Sequence, residues 1–296
     1  MRSLIGAKQQ KWLLLAPALT VLALISFVPF VKTLWLSFSD SEISALPTVV
    51  SFIGLENYIY ALTDPDFILS LGRTLYFTFV SVGAEVILGV AVALLLNQQF
   101  RGRTLMRALI ILPWAIPTIV NAVTWRLIYN PDYGALNSLL MQLGIIGEYR
   151  SWLGDPDVAM NMVILADVWK NFPLVAYVAL AALQTVPMDM LNAARLEGAN
   201  AWRRFYKITL PWIIGPLLVI IVLRSVEAFR VFDIIYVMTR GGPANQTKTA
   251  SFYVYQEYFS YLRSGSGSSY AIIVALISII LIYGYYKAAK RQNGSL

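Results

Sequence analysis

The sequence predicts an all-α polytopic membrane protein with six transmembrane helices and a helical cytoplasmic loop between the fourth and the fifth. Composition is the first reason: of 296 residues, 58% are hydrophobic and 13% charged, and the mean hydropathy is +0.65. Disordered chains and ordinary soluble domains rarely have such a composition. The second reason is that the apolar residues form segments long enough to cross about 30 Å of hydrocarbon as helices. We treat residues 1–296 as a single transmembrane domain.

The predicted spans cover residues 12–35, 71–96, 105–128, 158–183, 212–237 and 270–286. The first follows a basic stretch, so a signal peptide is the competing interpretation. Its apolar run is too long for one and lacks a small-residue cleavage site, so we expect an uncleaved span. Residues 52–67 are too short and polar to span, and the run SGSGSS at 264–269 predicts a flexible outer loop. Prolines within several spans predict bent helices.

The cations predict the orientation of the spans. The N-terminus, the second and fourth connections and the C-terminus hold 13 Lys and Arg residues, whereas the other three connections hold 4. By the positive-inside rule, both termini are expected to be cytoplasmic. Because the net charge of +7 is distributed between apolar segments rather than over one face, it does not indicate nucleic-acid binding.

Two residue types are missing altogether. Without cysteine there can be no disulfide, and without histidine there can be no Ser-His-Asp or Cys-His relay and no imidazole metal ligand. These absences disfavour hydrolase chemistry, and we expect no metal site on this chain.

The fifth span contains four charged residues of alternating sign, Arg224, Glu227, Arg230 and Asp233, at i, i+3 spacing. On one helix, neighbours in this series would lie side by side and pair. A charge at the bilayer centre costs about 2.5 to 3.5 kcal/mol on insertion scales, so these groups should face an interior or a watery cavity. Two interpretations stay open: a structural ladder of ion pairs, or a polar wall that binds a hydroxyl-rich solute. Glu85, in the second span, is a lone acid for which we expect a structural hydrogen bond.

The fourth span places Asp167, Lys170 and Asn171 around Trp169 and Phe172. Polar groups that bind hydroxyls, beside aromatic rings that cover apolar faces, are typical of a carbohydrate site. The alternative is a snorkelling lysine beside an interfacial tryptophan.

The loop between the fourth and fifth spans, residues 187–211, predicts two short helices. The first covers Met188 to Glu197 and ends at Gly198, which can adopt the left-handed conformation; the second covers Ala201 to Ile208. Met190, Leu191, Ala194 and Leu196 offer an apolar face. Such a hairpin suits docking onto another protein, although a lipid-facing amphipathic helix has the same pattern.

This loop resembles the signature loop of permease subunits of bacterial ATP-binding-cassette importers, in particular the maltose, trehalose and glycerol-phosphate group. The matching positions are Ala193, Ala194, Gly198, Ile208, Leu210 and Pro211. Further segments similar to that group are FIGLENY at 52–58, LPWAIPTIVNAVTW at 112–125, VWKNFP at 168–173, and EAFRVFDIIYVMT at 227–239 followed by Gly241, Gly242 and Pro243.

The resemblance implies a membrane subunit that pairs with a second permease chain, two cytoplasmic ATPases and an extracytoplasmic solute-binding protein. The positions that would couple to an ATPase are Leu191, Asn192, Ala193, Ala194, Arg195, Glu197, Gly198 and Ala199. Asn192 replaces the family's leading glutamate, so an ion pair from that position is lost. This chain has no phosphate-binding loop of the Walker type, so ATP and Mg are expected on the partner ATPase and no cofactor on this chain.

The resemblance also implies that solute contacts come from the fourth and fifth spans. The aligned residues are Asp167, Lys170, Asn171, Leu174, Arg224, Glu227, Ala228 and Val231, to which the charge series adds Arg230. The implied function is import of a sugar such as trehalose or maltose across the bacterial cytoplasmic membrane by alternating access. Two alternatives are an ion-coupled carrier with Glu227, Arg230 and Asp233 as a proton relay, and an assembly scaffold that transports nothing.

Overall fold

The structure is a computed structural model that describes residues 7–43 and 50–293, and most of these residues are helical. Its first elements are α1 (Ala7–Leu22), a π-helical segment (Ala23–Phe27), α2 (Val28–Leu36), β1 (Ser39–Asp40), β2 (Ser51–Phe52), α3 (Glu56–Thr63), α4 (Pro65–Asn97), α5 (Arg103–Ile110), α6 (Leu112–Ala115), α7 (Thr118–Ile128) and α8 (Ala135–Gln142). The remaining elements are α9 (Ala159–Leu183), α10 (Met188–Leu196), α11 (Ala201–Arg204), a π-helical segment (Phe205–Thr209), α12 (Leu210–Phe229), α13 (Asp233–Met238), α14 (Ala250–Tyr255), a π-helical segment (Gln256–Ser260) and α15 (Ser264–Asn293).

The described residues contain candidates for all six predicted crossings. Five helices are long and apolar enough to span a membrane: Leu14–Leu36, Pro65–Asn97, Ala159–Leu183, Ala201–Phe229 and Ser264–Gly284. The pair Arg103–Ala115 and Thr118–Ile128 makes a sixth crossing if it is counted as one span. The predicted all-α membrane class is therefore confirmed.

The third span is broken, whereas the sequence predicted a continuous helix. Its two halves meet at an angle of 95°. Between them Ile116 is extended, with φ −72° and ψ 131°. The following Pro117 explains the break, because proline has no amide hydrogen and disfavours helical geometry at the residue before it.

The fifth span is also interrupted, so the prediction of four charges on one helix is wrong. Helix α12 ends at Phe229, and Asp233 begins α13. Arg230 lies in the break with φ −98° and ψ 19°. The break is held by tertiary contacts: the Thr249 hydroxyl donates to the Val231 carbonyl at 3.2 Å, and Phe232 stacks on Phe252 at 6.2 Å between ring centroids.

The serine- and glycine-rich run at 264–269 is the start of α15, and the prediction of a flexible loop there is wrong. The Ser264 hydroxyl donates to the Ser41 carbonyl at 2.8 Å, and the Gly265 amide donates to the same oxygen at 3.0 Å. A side chain at Gly265 would overlap the Ser39 carbonyl oxygen. Close packing that only small residues permit therefore orders a composition that is usually flexible.

Residue contacts divide the chain into two compact units. One comprises the residues up to Phe67 together with Val254–Leu276, and contains the antiparallel β1–β2 pair. The other comprises Ile68–Tyr253 and the residues from Ile277 onward. In this second unit α9 packs against α6, α7, α12 and α13, and its apolar side chains join two buried clusters, one toward each end of the helix.

Helices α4 and α9 approach closely at Gly89, where an added Cβ would lie 2.8 Å from the Val175 Cβ. We expect Gly89→Ala to lower the stability by about 1 to 3 kcal/mol, because overpacking displaces neighbours. Gly83→Ala is the matched control, since nothing lies within 4 Å of an added Cβ there and both changes raise helix propensity equally. Thermal unfolding of the purified protein measures the difference; equal melting temperatures would contradict the close contact.

Candidate functional site

A cavity of about 320 Å³ lies within the second unit, against α9 and the breaks in the third and fifth spans. Its lining residues are Trp114, Thr118, Asp167, Lys170, Asn171, Arg224, Glu227, Ala228, Arg230, Val231, Phe232, Asp233 and Ile234. These include eight of the nine solute residues expected from the sequence. The exception is Leu174, which packs against the apolar cluster between α4, α9 and α12.

Both helix breaks contribute residues to the lining. Trp114 and Thr118 flank the α6–α7 break, and residues 230–232 form the α12–α13 break. Irregular backbone at membrane depth is tolerated where it is buried in protein or lines a cavity. Broken helices are also a common way to build a transport site. The helix breaks and the polar side chains therefore indicate the same candidate site.

Arg224, on α12, is the centre of the charge network. Its Nε and Nη2 donate to the two oxygens of Glu85 on α4, at 2.8 Å and 2.9 Å. Nη2 also donates to Asp167 Oδ2 on α9 at 3.4 Å, and Nη1 donates to Glu227 Oε2 at 2.6 Å. One guanidinium thus joins three helices through three carboxylates.

The network runs from the protein interior to the cavity. Glu85 is fully buried, and Arg224 retains 5% exposure. The Glu227 side chain is 56% exposed. Buried charges are tolerated when they are paired and hydrogen-bonded, and here the arginine satisfies that requirement for Glu85. Glu85 is therefore paired with Arg224 and is not a lone acid. The structural hydrogen bond that we expected for it is present.

Asn171 and Asp167 form a second contact one helical turn apart on α9. The Asn171 amide nitrogen donates to the Asp167 carboxylate at 2.9 Å and to its backbone carbonyl at 3.0 Å. These two bonds use the Asn171 amide nitrogen and leave the side-chain oxygen of this lining residue as an acceptor. Lys170, Arg230 and Asp233 also line the cavity, and within the described ranges none of them forms an ion pair within 4.0 Å.

The aromatic rings of the cavity differ from those expected. Trp114 and Phe232 line it, whereas Trp169 packs edge-on against Trp125, with ring centroids 5.9 Å apart. Phe172 is absent from the lining residues within the described part of the chain. Trp114 belongs to the segment LPWAIP, and the two prolines on either side of it were the available signal, because they indicate a helix break near which Trp114 and Thr118 line the cavity.

Residues 188–204, which we call the coupling segment after the role that the resemblance implies, have the predicted first helix. Helix α10 ends where Gly198 adopts φ +80°. The Arg204 guanidinium donates to the Ala199 carbonyl at 2.6 Å, and the Asn200 side chain accepts from the Arg203 amide at 2.8 Å. The predicted second helix over 201–208 is not separate, since α11 continues through the π-helical segment into α12, and Pro211 lies in the first turn of α12, where proline is tolerated.

Helix α10 has two different faces. Leu191 is half-buried and packs with Ile208 and Leu210 against the apolar cluster of α4, α9 and α12. Leu196 is 91% exposed, and Asn192 is exposed as well. The predicted single apolar face is therefore divided: Leu191 packs against the helices, and Leu196 is exposed at the surface of this chain.

Comparison with known proteins gives the class of protein. Residues 85–292 match the family described as binding-protein-dependent transport system inner membrane component. The chain belongs to this family of permease subunits, which are multi-pass membrane proteins rather than enzymes. Neither the ion-coupled carrier nor the scaffold is favoured by this membership.

Individual relatives show which transport proteins this chain is similar to. The chain is 39% identical over 274 residues to the trehalose/maltose transport system permease protein MalF of Thermococcus litoralis, covering 92% of this chain and 91% of that protein. It is 35% identical over 292 residues to the trehalose transport system permease protein SugA of Mycobacterium tuberculosis, covering 97% and 92%. A crystal structure of a bacterial transporter that imports the acidic polysaccharide alginate contains a chain with TM-score 0.82 and 20% identity, covering 95% of this chain and 96% of that one, which shows the same fold.

Proposed function

We propose that this chain is a permease subunit of an ATP-driven, binding-protein-dependent importer that moves a sugar across the cytoplasmic membrane. The main support is the cavity between two broken helices, lined by hydrogen-bonding side chains and by the rings of Trp114 and Phe232. Carboxylates and amides bind sugar hydroxyls, and aromatic rings cover the apolar faces of a pyranose. Since two relatives are named for trehalose or trehalose/maltose transport, these disaccharides are the first candidates.

The proposed partners are a second permease chain, two cassette ATPases and an extracytoplasmic solute-binding protein. The ATPases would bind ATP and Mg, and would receive the exposed side of α10 with Leu196 and Asn192. Asn192 can offer a neutral hydrogen bond but no ion pair, so apolar contact and Glu197 should supply more of the docking energy.

The continuous helix from the coupling segment to the cavity suggests how ATPase closure reaches the sugar. Residues 201–229 form one continuous helix of 29 residues. This helix begins just after the turn at Gly198. Arg224 and Glu227 lie near its other end, about 35 Å away at 1.5 Å per residue. Movement of α10 would therefore tilt the helix that forms one wall of the cavity. In our proposal this tilting alternates access between the two sides of the membrane.

Uptake by proteoliposomes containing the complete complex tests the proposed function. We expect labelled trehalose or maltose to accumulate only with the solute-binding protein and with ATP on the ATPase side, and a protonophore to leave this uptake intact. Accumulation without ATP, or its abolition by a protonophore while ATP is present, would support an ion-coupled carrier instead.

The proposed orientation places both termini in the cytoplasm. Reporters fused at Gln98 and Trp202 should then read as cytoplasmic, and reporters fused at Asp64 and Gly154 as external, because the cation-rich connections stay inside. Alkaline phosphatase and fluorescent-protein fusions give opposite signals on the two sides. Two exchanged results would rule out the six-span orientation.

A further inference from the structure

Arg224 has little hydrogen-bonding capacity left for a solute. A guanidinium has five N–H donors. Two of them bind Glu85, one binds Asp167 and one binds Glu227. An anionic group on a sugar would therefore have to displace one of these carboxylates to form a bidentate pair with Arg224.

The charge balance around the cavity also opposes an anion. Three cationic and three acidic side chains line it, and Glu85 behind Arg224 adds a fourth carboxylate. Among the three carboxylates that bind Arg224, Glu227 has the most exposed side chain, at 56%, and it lines the cavity. A solute approaching this wall thus meets a carboxylate, which accepts hydrogen bonds from hydroxyls and repels a carboxylate, phosphate or sulfonate.

We propose that Glu85 is a specificity-determining residue: by occupying the inner side of Arg224 it makes the cavity select uncharged sugars over acidic ones. This inference rests on the proposed function and adds the substrate class. Glu85 does not touch the solute, since it is fully buried and acts through Arg224. Lys170 and Arg230 remain as cavity cations without an ion pair in the described residues, so the experiment must distinguish Arg224 from them.

Equilibrium binding to the purified complex, without the solute-binding protein, measures this selectivity. The probes are trehalose and maltose, and for each the derivative in which one hydroxymethyl group is oxidised to a carboxylate. The wild-type complex should bind the neutral sugar at least about tenfold more tightly than its acid. In Glu85→Gln, Arg224 loses the buried carboxylate that neutralises its charge, so the acid should gain about tenfold at the cavity side of Arg224 while the neutral sugar changes by less than about threefold.

Two further variants separate this effect from net charge and from structure. Asp233→Asn removes the same charge from the cavity lining but leaves Arg224 saturated, so the selectivity should shift less than about threefold. Glu85→Gln combined with Arg224→Gln should lose the gain for the acid, because no released guanidinium is present. If Glu85→Gln does not assemble, Glu227→Gln serves instead: it frees Nη1 of the same guanidinium and should tighten binding of the acid itself, a readout that the expected loss of neutral-sugar binding in this variant does not produce.

The outcomes distinguish this inference from the proposed function. Equal or tighter wild-type binding of the acid would overturn the inference, as would equal shifts in Glu85→Gln and Asp233→Asn. Wild-type binding of neither sugar nor acid, in a complex that is intact and hydrolyses ATP, would contradict the sugar site itself.

Discussion

A chain with Gly198→Val is expected to fold and insert but to release its ATPase and to stop transporting. Gly198 ends α10 with φ +80°, and nothing lies within 4 Å of an added Cβ. The cost is therefore conformational, about 1 to 2 kcal/mol for a side chain forced into the left-handed region, and more for a β-branched one. The chain should relieve this strain by changing the turn, which displaces the exposed end of α10. Co-purification of the ATPase and uptake of labelled sugar measure the two losses.

Gly144→Val is the matched control for backbone strain. Gly144 has φ +69°, nothing lies within 4 Å of an added Cβ there, and it follows α8 rather than belonging to the coupling segment. It should suffer similar strain and keep its ATPase. If Gly198→Val also retains the ATPase and transports normally, the coupling segment does not connect the two subunits.

Glu227→Gln is expected to reduce sugar binding and uptake by roughly five- to thirtyfold, while assembly and melting temperature stay close to those of the wild type. Gln preserves the shape and one acceptor but loses charge assistance, which is worth about 1 to 2 kcal/mol. Stability should change little because Arg224 keeps its bonds to Glu85 and Asp167, and because the Glu227 side chain is 56% exposed.

The same variant separates a solute site from a structural ion pair. Uptake and thermal unfolding are measured on one preparation of reconstituted complex. Glu148→Gln is the control, since Glu148 is an exposed acid in the segment after α8 and does not line the cavity in the described structure. Normal uptake with a lowered melting temperature in Glu227→Gln would make the pair with Arg224 structural and would move the sugar site elsewhere.

The elements that depend on local chemistry could be predicted. Helix α9 begins and ends within one residue of the predicted span because its apolar run has distinct polar ends. Helix α10 has the predicted start, and Gly198 terminates it through a backbone geometry that favours glycine. The polar residues of the cavity could also be located, because charges and amides within apolar spans are costly unless they are buried together.

The rest depends on contacts between residues far apart in the chain. Glu85 and Arg224 are separated by 139 residues, and neither local sequence reveals the other. The α12–α13 break has no proline; contacts of Phe232 and Val231 with residues in the segment after α13 stabilise it. The i, i+3 pattern from Arg224 to Asp233 predicted one helix because periodicity cannot detect such a break. Only its first pair, Arg224 with Glu227, forms in the described structure.

The central claim is that a sugar occupies the cavity between the broken helices, and thiol protection tests it most directly. Because the chain has no cysteine, Val231→Cys places a single thiol of this chain in the cavity lining. Glu148→Cys places the control thiol in the segment after α8, at an exposed residue outside the lining and outside the candidate spans. In the reconstituted complex, saturating trehalose or maltose should slow modification of the thiol at position 231 by a small water-soluble reagent and leave position 148 unaffected. Equal modification rates at position 231 with and without a sugar that the complex transports would contradict the account.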